Sequence, residues 1–186
     1  MKAVILAAGQ SSRFKPLSDN QHKGLTEVLG KPIIEHTIME LANIGVDEVI
    51  VVQGPDKRFE EELEVEADFV VQENPEGMGH ALRQAEHLLD DRFLVLNPYH
   101  ATSSHIIKEL IAKSERENTD LGFVSRKTDK PEDYGILHIE EGKAVGVTEK
   151  PEKGEAPSDK RIVGMYLLNE EIFNYMDEVE TWEYQF

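Results

Sequence analysis

Ala3-Val4-Ile5-Leu6-Ala7-Ala8-Gly9-Gln10-Ser11-Ser12-Arg13 is the stretch that decides the fold. Its first four residues form an unbroken apolar run without polar alternation, which predicts a short strand buried on both faces. The small residues from Ala7 to Gly9 end that strand, and the polar loop beyond them carries Ser11, Ser12, Arg13, Pro16 and Lys23. In an open parallel sheet, ligands bind beyond the carboxyl ends of the strands, where this loop sits. Small side chains let the backbone approach a phosphate, successive N–H groups can cradle it, and Arg13 and Lys23 bring the charge that a triphosphate requires. A polar turn with two solvated cations fits the same spacing, and the loop alone leaves both readings open.

Outward from that loop, strand and helix alternate. Lys31-Pro32 is read as opening a helix, with Pro32 in its first turn, that presents Ile34, Ile38 and Leu41 on one face and closes at Gly45. Strands are expected at Val49–Val52, Phe69–Val71 and Phe93–Leu96, with a helical stretch from Gly79 to Leu89 between the last two. Thr102 or Ser103 is placed to cap a helix carrying Ile106, Ile107, Leu110 and Ile111. The pattern then turns to strands, at 121–125, 135–139, 144–148 and 163–168, with a hairpin turn at Glu141-Gly142 and one short helix around 170–176. The fold class is therefore α/β: a three-layer, Rossmann-like, mostly parallel sheet with a small antiparallel part.

Composition narrows the function. Of the 186 residues, 39% are hydrophobic and 31% charged, as in an ordinary globular domain. The formal charge of −17 argues against binding nucleic acid as a polymer, so a phosphate site must be assembled locally from a few cations and backbone N–H groups. There is no cysteine, which rules out disulfide and thiolate chemistry. No apolar run has membrane-spanning length and no signal-peptide pattern opens the chain, so no membrane role and a cytoplasmic location are expected. A Rossmann dinucleotide binder would need a Gly-x-Gly-x-x-Gly turn and an acidic residue at the end of the next strand, and neither is present.

The ordered series Leu6-Ala7-Ala8-Gly9, Ser11-Ser12, Arg13, Pro16, Lys23 and Gly30-Lys31-Pro32-Ile33-Ile34 resembles the N-terminal part of the sugar-phosphate nucleotidyltransferases. Gln72 with Gly77-Met78-Gly79-His80-Ala81 is similar to that family's base-binding segment. Tyr134-Gly135, Glu149-Lys150-Pro151 and Val163-Gly164-Met165-Tyr166 are similar to its acceptor-binding elements. The resemblance covers nearly the whole chain and implies a single nucleotidyltransferase domain, 1–186, that lacks the last strands of the family's catalytic domain.

The implied enzyme uses a nucleoside triphosphate and a sugar 1-phosphate. A phosphate oxygen of the acceptor attacks the α-phosphorus and pyrophosphate leaves, a reaction that needs positioning and charge neutralisation. By the resemblance, Arg13 would hold the leaving pyrophosphate, and Lys23 would bridge the α-phosphate and the incoming phosphate. Ala8, Gly9, Gln10, Ser11, Ser12, Gln72 and Gly77 would bind the nucleotide; Gly135, Glu149, Lys150 and Gly164 would bind the acceptor. His80 is assigned no chemistry. A homo-oligomer is among the assemblies the resemblance implies.

Magnesium is also implied by the resemblance, but the strand 93–96 runs into Asn97-Pro98-Tyr99-His100, and Tyr99 stands where the family has its metal-binding aspartate. A neutral phenol is a poor ligand for a hard cation, so no metal ligand is identified. Other departures are Ser11 for a usual glycine, His22 for a usual proline, and Lys23-Gly24-Leu25 for the commoner Lys-Pro-Leu. Two further readings therefore stand beside the enzyme: a weak or inactive nucleotide-binding homologue, and a cytidylyltransferase for phosphocholine-like acceptors.

Overall fold

The computed structural model describes residues 1–9, 21–46, 48–119 and 121–177. The apolar runs become the four parallel strands β1 (Lys2–Leu6), β4 (Glu48–Gln53), β5 (Asp68–Val71) and β6 (Arg92–Leu96). They lie in the order β5-β4-β1-β6. Between them, β2 (Glu27–Val28) and β3 (Lys31–Pro32) form a small hairpin of their own. The helix expected from Lys31 instead starts one step later, as α1 (Ile33–Ala42), because Lys31 and Pro32 pair with the chain before them.

The expected antiparallel part continues the same sheet. Strand β10 (Lys160–Asn169) lies beside β6, and β7 (Gly122–Lys127), β8 (Gly135–Glu140) and β9 (Lys143–Glu149) extend the sheet from it, to give eight strands. β8 and β9 are joined by the expected turn at Glu141-Gly142, where both residues have positive φ.

The pleat sorts the core into two sides. Ala3, Ile5, Val49, Val51, Leu94 and Leu96 face α1 and α4 (Ser104–Glu117), whereas Val4, Leu6, Ile50, Val52, Phe93 and Val95 face α3 (Met78–Gln84) and α5 (Ile172–Asp177). Both faces of the parallel strands are thus covered, which is why these strands carry no polar alternation. Three layers result, with the carboxyl ends of β1, β5 and β6 left open to one side.

The helix start expected at Thr102 or Ser103 has a different cap. Ser103 lies in the helical backbone region, and its hydroxyl donates to the His100 carbonyl (2.8 Å). The N–H of Ser104 donates instead to Glu40 Oε2 of α1 (2.8 Å), and these hydrogen bonds hold the Glu40 carboxyl below its usual range. A carboxylate 64 residues away does what a local hydroxyl was expected to do. The same helix carries Thr37, whose buried hydroxyl donates to the Pro98 carbonyl (3.2 Å) and so ties α1 to the loop after β6. The short helix α2 (Arg58–Glu62) is capped by Gln53 Oε1, which accepts from the N–H groups of Phe59 and Glu60. Among the described residues no helix is long and apolar enough to cross a membrane.

Candidate active site

The open strand ends converge on a cleft of about 860 Å³. Ala8 and Gly9 follow β1, Gln72 follows β5, and Asn97, Pro98, Tyr99 and His100 follow β6. Gly77 and Met78 come from the start of α3, and Asp133, Tyr134, Gly135 and Glu149 from the β8–β9 side. Arg161 to Gly164 supply the wall from β10. Of the residues expected at the site, Ala8, Gly9, Lys23, Gln72, Gly77, Gly135, Glu149 and Gly164 all line this one cleft. Lys150 does not line it and pairs with Glu149 across 3.3 Å. Gln10, Ser11, Ser12 and Arg13 lie outside the described residues.

Lys23 is held by a small lattice of packing that the sequence did not announce. It opens one turn of 3-10 helix, 23–25, whose preceding residue, His22, accepts the Gly24 N–H at Nδ1 (3.0 Å). The other side of the ring is hydrogen-bonded to the Gly9 backbone, and the ring meets Phe59 edge-on at 4.9 Å. His22 therefore pins the end of β1 to the segment carrying Lys23. Gly24 fits because a Cβ there would lie 3.1–3.2 Å from His22, Pro98 and Phe59. The Lys23 ammonium lies 4.2 Å from the centre of the Tyr99 ring, at cation–π distance.

Burial pushes His22 down to about 4, the Gly9 hydrogen bond opposing the shift and the Lys23 charge adding to it. His22 is thus a neutral acceptor at pH 7, and protonation would remove the Nδ1 lone pair that holds Gly24. Because the folded form is harder to protonate than the unfolded one, stability is full above the ordinary histidine range and falls with acid until about pH 4. The loss is at most about 3 kcal/mol by linkage. His100 is shifted the same way by burial. Urea midpoints should decline between pH 6.5 and 5, before most carboxylates titrate, and His22→Gln should flatten that decline; a wild-type midpoint constant over this range would refute the assignment.

At the far end, Gln72 is buried and its orientation is set. Its amide nitrogen donates to the Gly77 carbonyl (3.1 Å) and to His80 Nδ1 (2.9 Å). A carbonyl can only accept, so the Gly77 contact fixes the amide flip and leaves the Gln72 side-chain carbonyl for a ligand. His80, given no role from the sequence, is the group that steadies this glutamine.

On the β8–β9 side, Gly135 pairs with Glu149 in register, and a Cβ on Gly135 would lie 2.9 Å from Glu149 Oε2. The glycine makes room for that carboxylate. Arg161 lies 4.2 Å from the centre of the Tyr134 ring and makes no ion pair with a described carboxylate. Arg161 follows Asp159 and Lys160 in the sequence, so nothing local marks it as a residue of the cleft. Tyr166 also lines the cleft, kept neutral well above its usual range by burial and by the charges of Tyr99 and Glu149.

The metal expectation does not fit this donor set. Asn97 is an amide, Tyr99 a phenol, and His100 Nε2 is occupied with the Gly164 carbonyl (3.1 Å). The lining carboxylates are Asp133 and Glu149, and Glu149 is already paired with Lys150. Among the described residues no group of three or more His, Asp or Glu is arranged to hold a metal ion.

Comparison with known proteins agrees with this geometry. The family model described as nucleotidyl transferase matches residues 2–185. UTP–glucose-1-phosphate uridylyltransferase AglF of Haloferax volcanii is 31% identical over 186 residues, covering 94% of this chain and 74% of that protein. The bifunctional protein GlmU of Methanococcus maripaludis is 30% identical over 185 residues, which cover 96% of this chain but 43% of that protein. The chain thus spans less than half the length of that relative. Among solved structures, a UDP-glucose pyrophosphorylase complexed with UDP-glucose superposes with a TM-score of 0.83 at 22% identity, covering 96% of this chain and 79% of that one. With the strand-end cleft, the fold and a match along nearly its whole length, the chain belongs to the nucleotidyl transferase family.

Proposed function

We propose that this chain transfers a uridylyl or thymidylyl group from the nucleoside triphosphate to a sugar 1-phosphate. The acceptor's phosphate oxygen forms a bond to the α-phosphorus as the bond to pyrophosphate breaks. The observation that carries this reading is the convergence of Lys23, Gln72 and Glu149 on one cleft from three separate parts of the fold. Lys23 stabilises charge on the α-phosphate as it develops. Gln72 presents a carbonyl, which accepts from the imide N3–H of uracil or thymine; the ring N3 of cytosine has no proton to donate. Glu149, in the space left by Gly135, accepts from acceptor hydroxyls. Names of relatives such as the UTP–glucose-1-phosphate uridylyltransferase support the same substrates.

One observation favours a second reading, in which nucleotide is bound with little turnover: the phenol at Tyr99 supplies no anionic oxygen to the reacting phosphates. Pyrophosphate release separates the two. With UTP, dTTP, CTP and GTP offered alongside glucose 1-phosphate or N-acetylglucosamine 1-phosphate, release is expected with UTP or dTTP and only when an acceptor is present. Binding of UTP without release would select the second reading. Failure to bind any triphosphate would defeat both.

A further inference from the structure

We propose that Arg161, held against the ring of Tyr134, receives the phosphate of the sugar 1-phosphate in place of Lys150, which the resemblance puts at the acceptor. The inference deepens the nucleotidyl-transfer reading above and rests on it. An acceptor phosphate needs a cation at its end of the cleft, because the wall there already carries the carboxylates of Asp133 and Glu149. Lys150 is poorly placed to supply it. It follows β9 in left-handed backbone (φ +44°), with its N–H donating to the Tyr134 carbonyl (3.0 Å). Its ammonium rests on Glu149 at 3.3 Å, and the residue does not line the cleft.

Arg161 does line it, and the fold holds it there. Within β10 it pairs with Ile136 of β8 on one side and with Arg126 of β7 on the other. Tyr134 stands two residues before Ile136 and so shares its face, with the ring centre 4.2 Å from the guanidinium carbon. An aromatic face positions a cation without using up its hydrogen bonds. Among the described residues Arg161 makes no ion pair, with Asp133 and Glu149 or any other carboxylate. Its fork of N–H donors can therefore meet a phosphate with two parallel hydrogen bonds. The pairing with Arg126 points the same way. Like charges directly opposite each other weaken a ladder, and a bound dianion offsets that repulsion.

Steady-state pyrophosphate release with UTP and glucose 1-phosphate or N-acetylglucosamine 1-phosphate tests the proposal. Arg161→Gln should raise the acceptor KM about tenfold or more and change the UTP KM by less than about twofold. Arg161→Lys keeps the charge but loses the fork, and should fall between variant and parent. With the Arg126 repulsion relieved, the urea midpoint of Arg161→Gln should be no lower than that of the parent. An unchanged acceptor KM would overturn the proposal, as would a larger rise from Lys150→Gln than from Arg161→Gln. Equal rises in both KM values with a lower urea midpoint would make Arg161 a structural residue and also overturn it.

A parent that binds UTP in calorimetric titration but releases no pyrophosphate would end the nucleotidyl-transfer reading by itself. Direct titration with glucose 1-phosphate would then decide the role of Arg161. Binding weakened about tenfold in Arg161→Gln keeps Arg161 as the partner of the phosphate. Equal binding by the two proteins, or none by the parent, overturns it.

Discussion

Replacing Lys23 by methionine is expected to lower kcat/KM for nucleotidyl transfer by about a hundred- to a thousandfold while leaving the fold intact. The magnitude follows from what the substitution removes. Methionine fills nearly the same volume as the lysine stem, and the backbone at this point is held independently of the ammonium group. Gly24 N–H is bonded to His22, Gln21 donates to the Leu25 carbonyl (2.8 Å), and Leu25 is fully buried. What disappears is a positive charge 4.2 Å from the Tyr99 ring, in a cleft whose net charge must offset a triphosphate. An interaction that strengthens as charge moves onto the bridging oxygens lowers kcat more than it raises KM. Steady-state kinetics on parent and variant, with urea midpoints to show equal stability, would check this. A loss below about threefold would remove Lys23 from the reacting centre.

The fold was largely legible because its centre is built from runs that only one environment accommodates. Ala3–Leu6, Val49–Val52 and Phe93–Leu96 are apolar at every position, and each lies between helices on both faces. The cleft was legible for a related reason: Ala8 and Gly9 follow directly from the first of these strands. What could not be read was set by contacts distant in the chain. Glu40 caps α4 from another helix, a partnership with no local sequence signature. The strand β10 begins with Lys160 and Arg161, charges that mask a strand start, and it joins the antiparallel strands to the parallel ones in a single sheet. Helix α2 has Phe59 as its buried residue, too little periodicity to detect, and depends on Gln53 for its cap. Arg161 and His22 were missed as site residues because each acts through an aromatic or backbone partner from another element.

Gly164→Ala is the substitution expected to damage the site most through the backbone. Strand β10 pairs with β7 on either side of an irregularity between Ile162 and Tyr166, and Gly164 sits inside it with φ of +75°. Its carbonyl accepts from both the Asn97 N–H (3.1 Å) and His100 Nε2 (3.1 Å), so this bulge holds the loop that carries Tyr99. A Cβ at this position would fall 2.0 Å from Asn97 Nδ2 and 2.9 Å from its Cγ. Rotation of the terminal amide cannot relieve a contact that includes Cγ, so the whole Asn97 side chain must leave its place. Positive φ costs alanine about 1–2 kcal/mol, and the overlap about 1–3 kcal/mol more. Nucleotide affinity should fall with stability, because Asn97 and Tyr99 move with the loop. The two contributions can be separated by adding Asn97→Ala, which removes the overlap and leaves the backbone strain. In a double-mutant cycle the pair should be more stable than the sum of the single changes by about 1 kcal/mol or more. Strict additivity would show that the backbone conformation alone demands glycine here, and that the Asn97 contact contributes nothing.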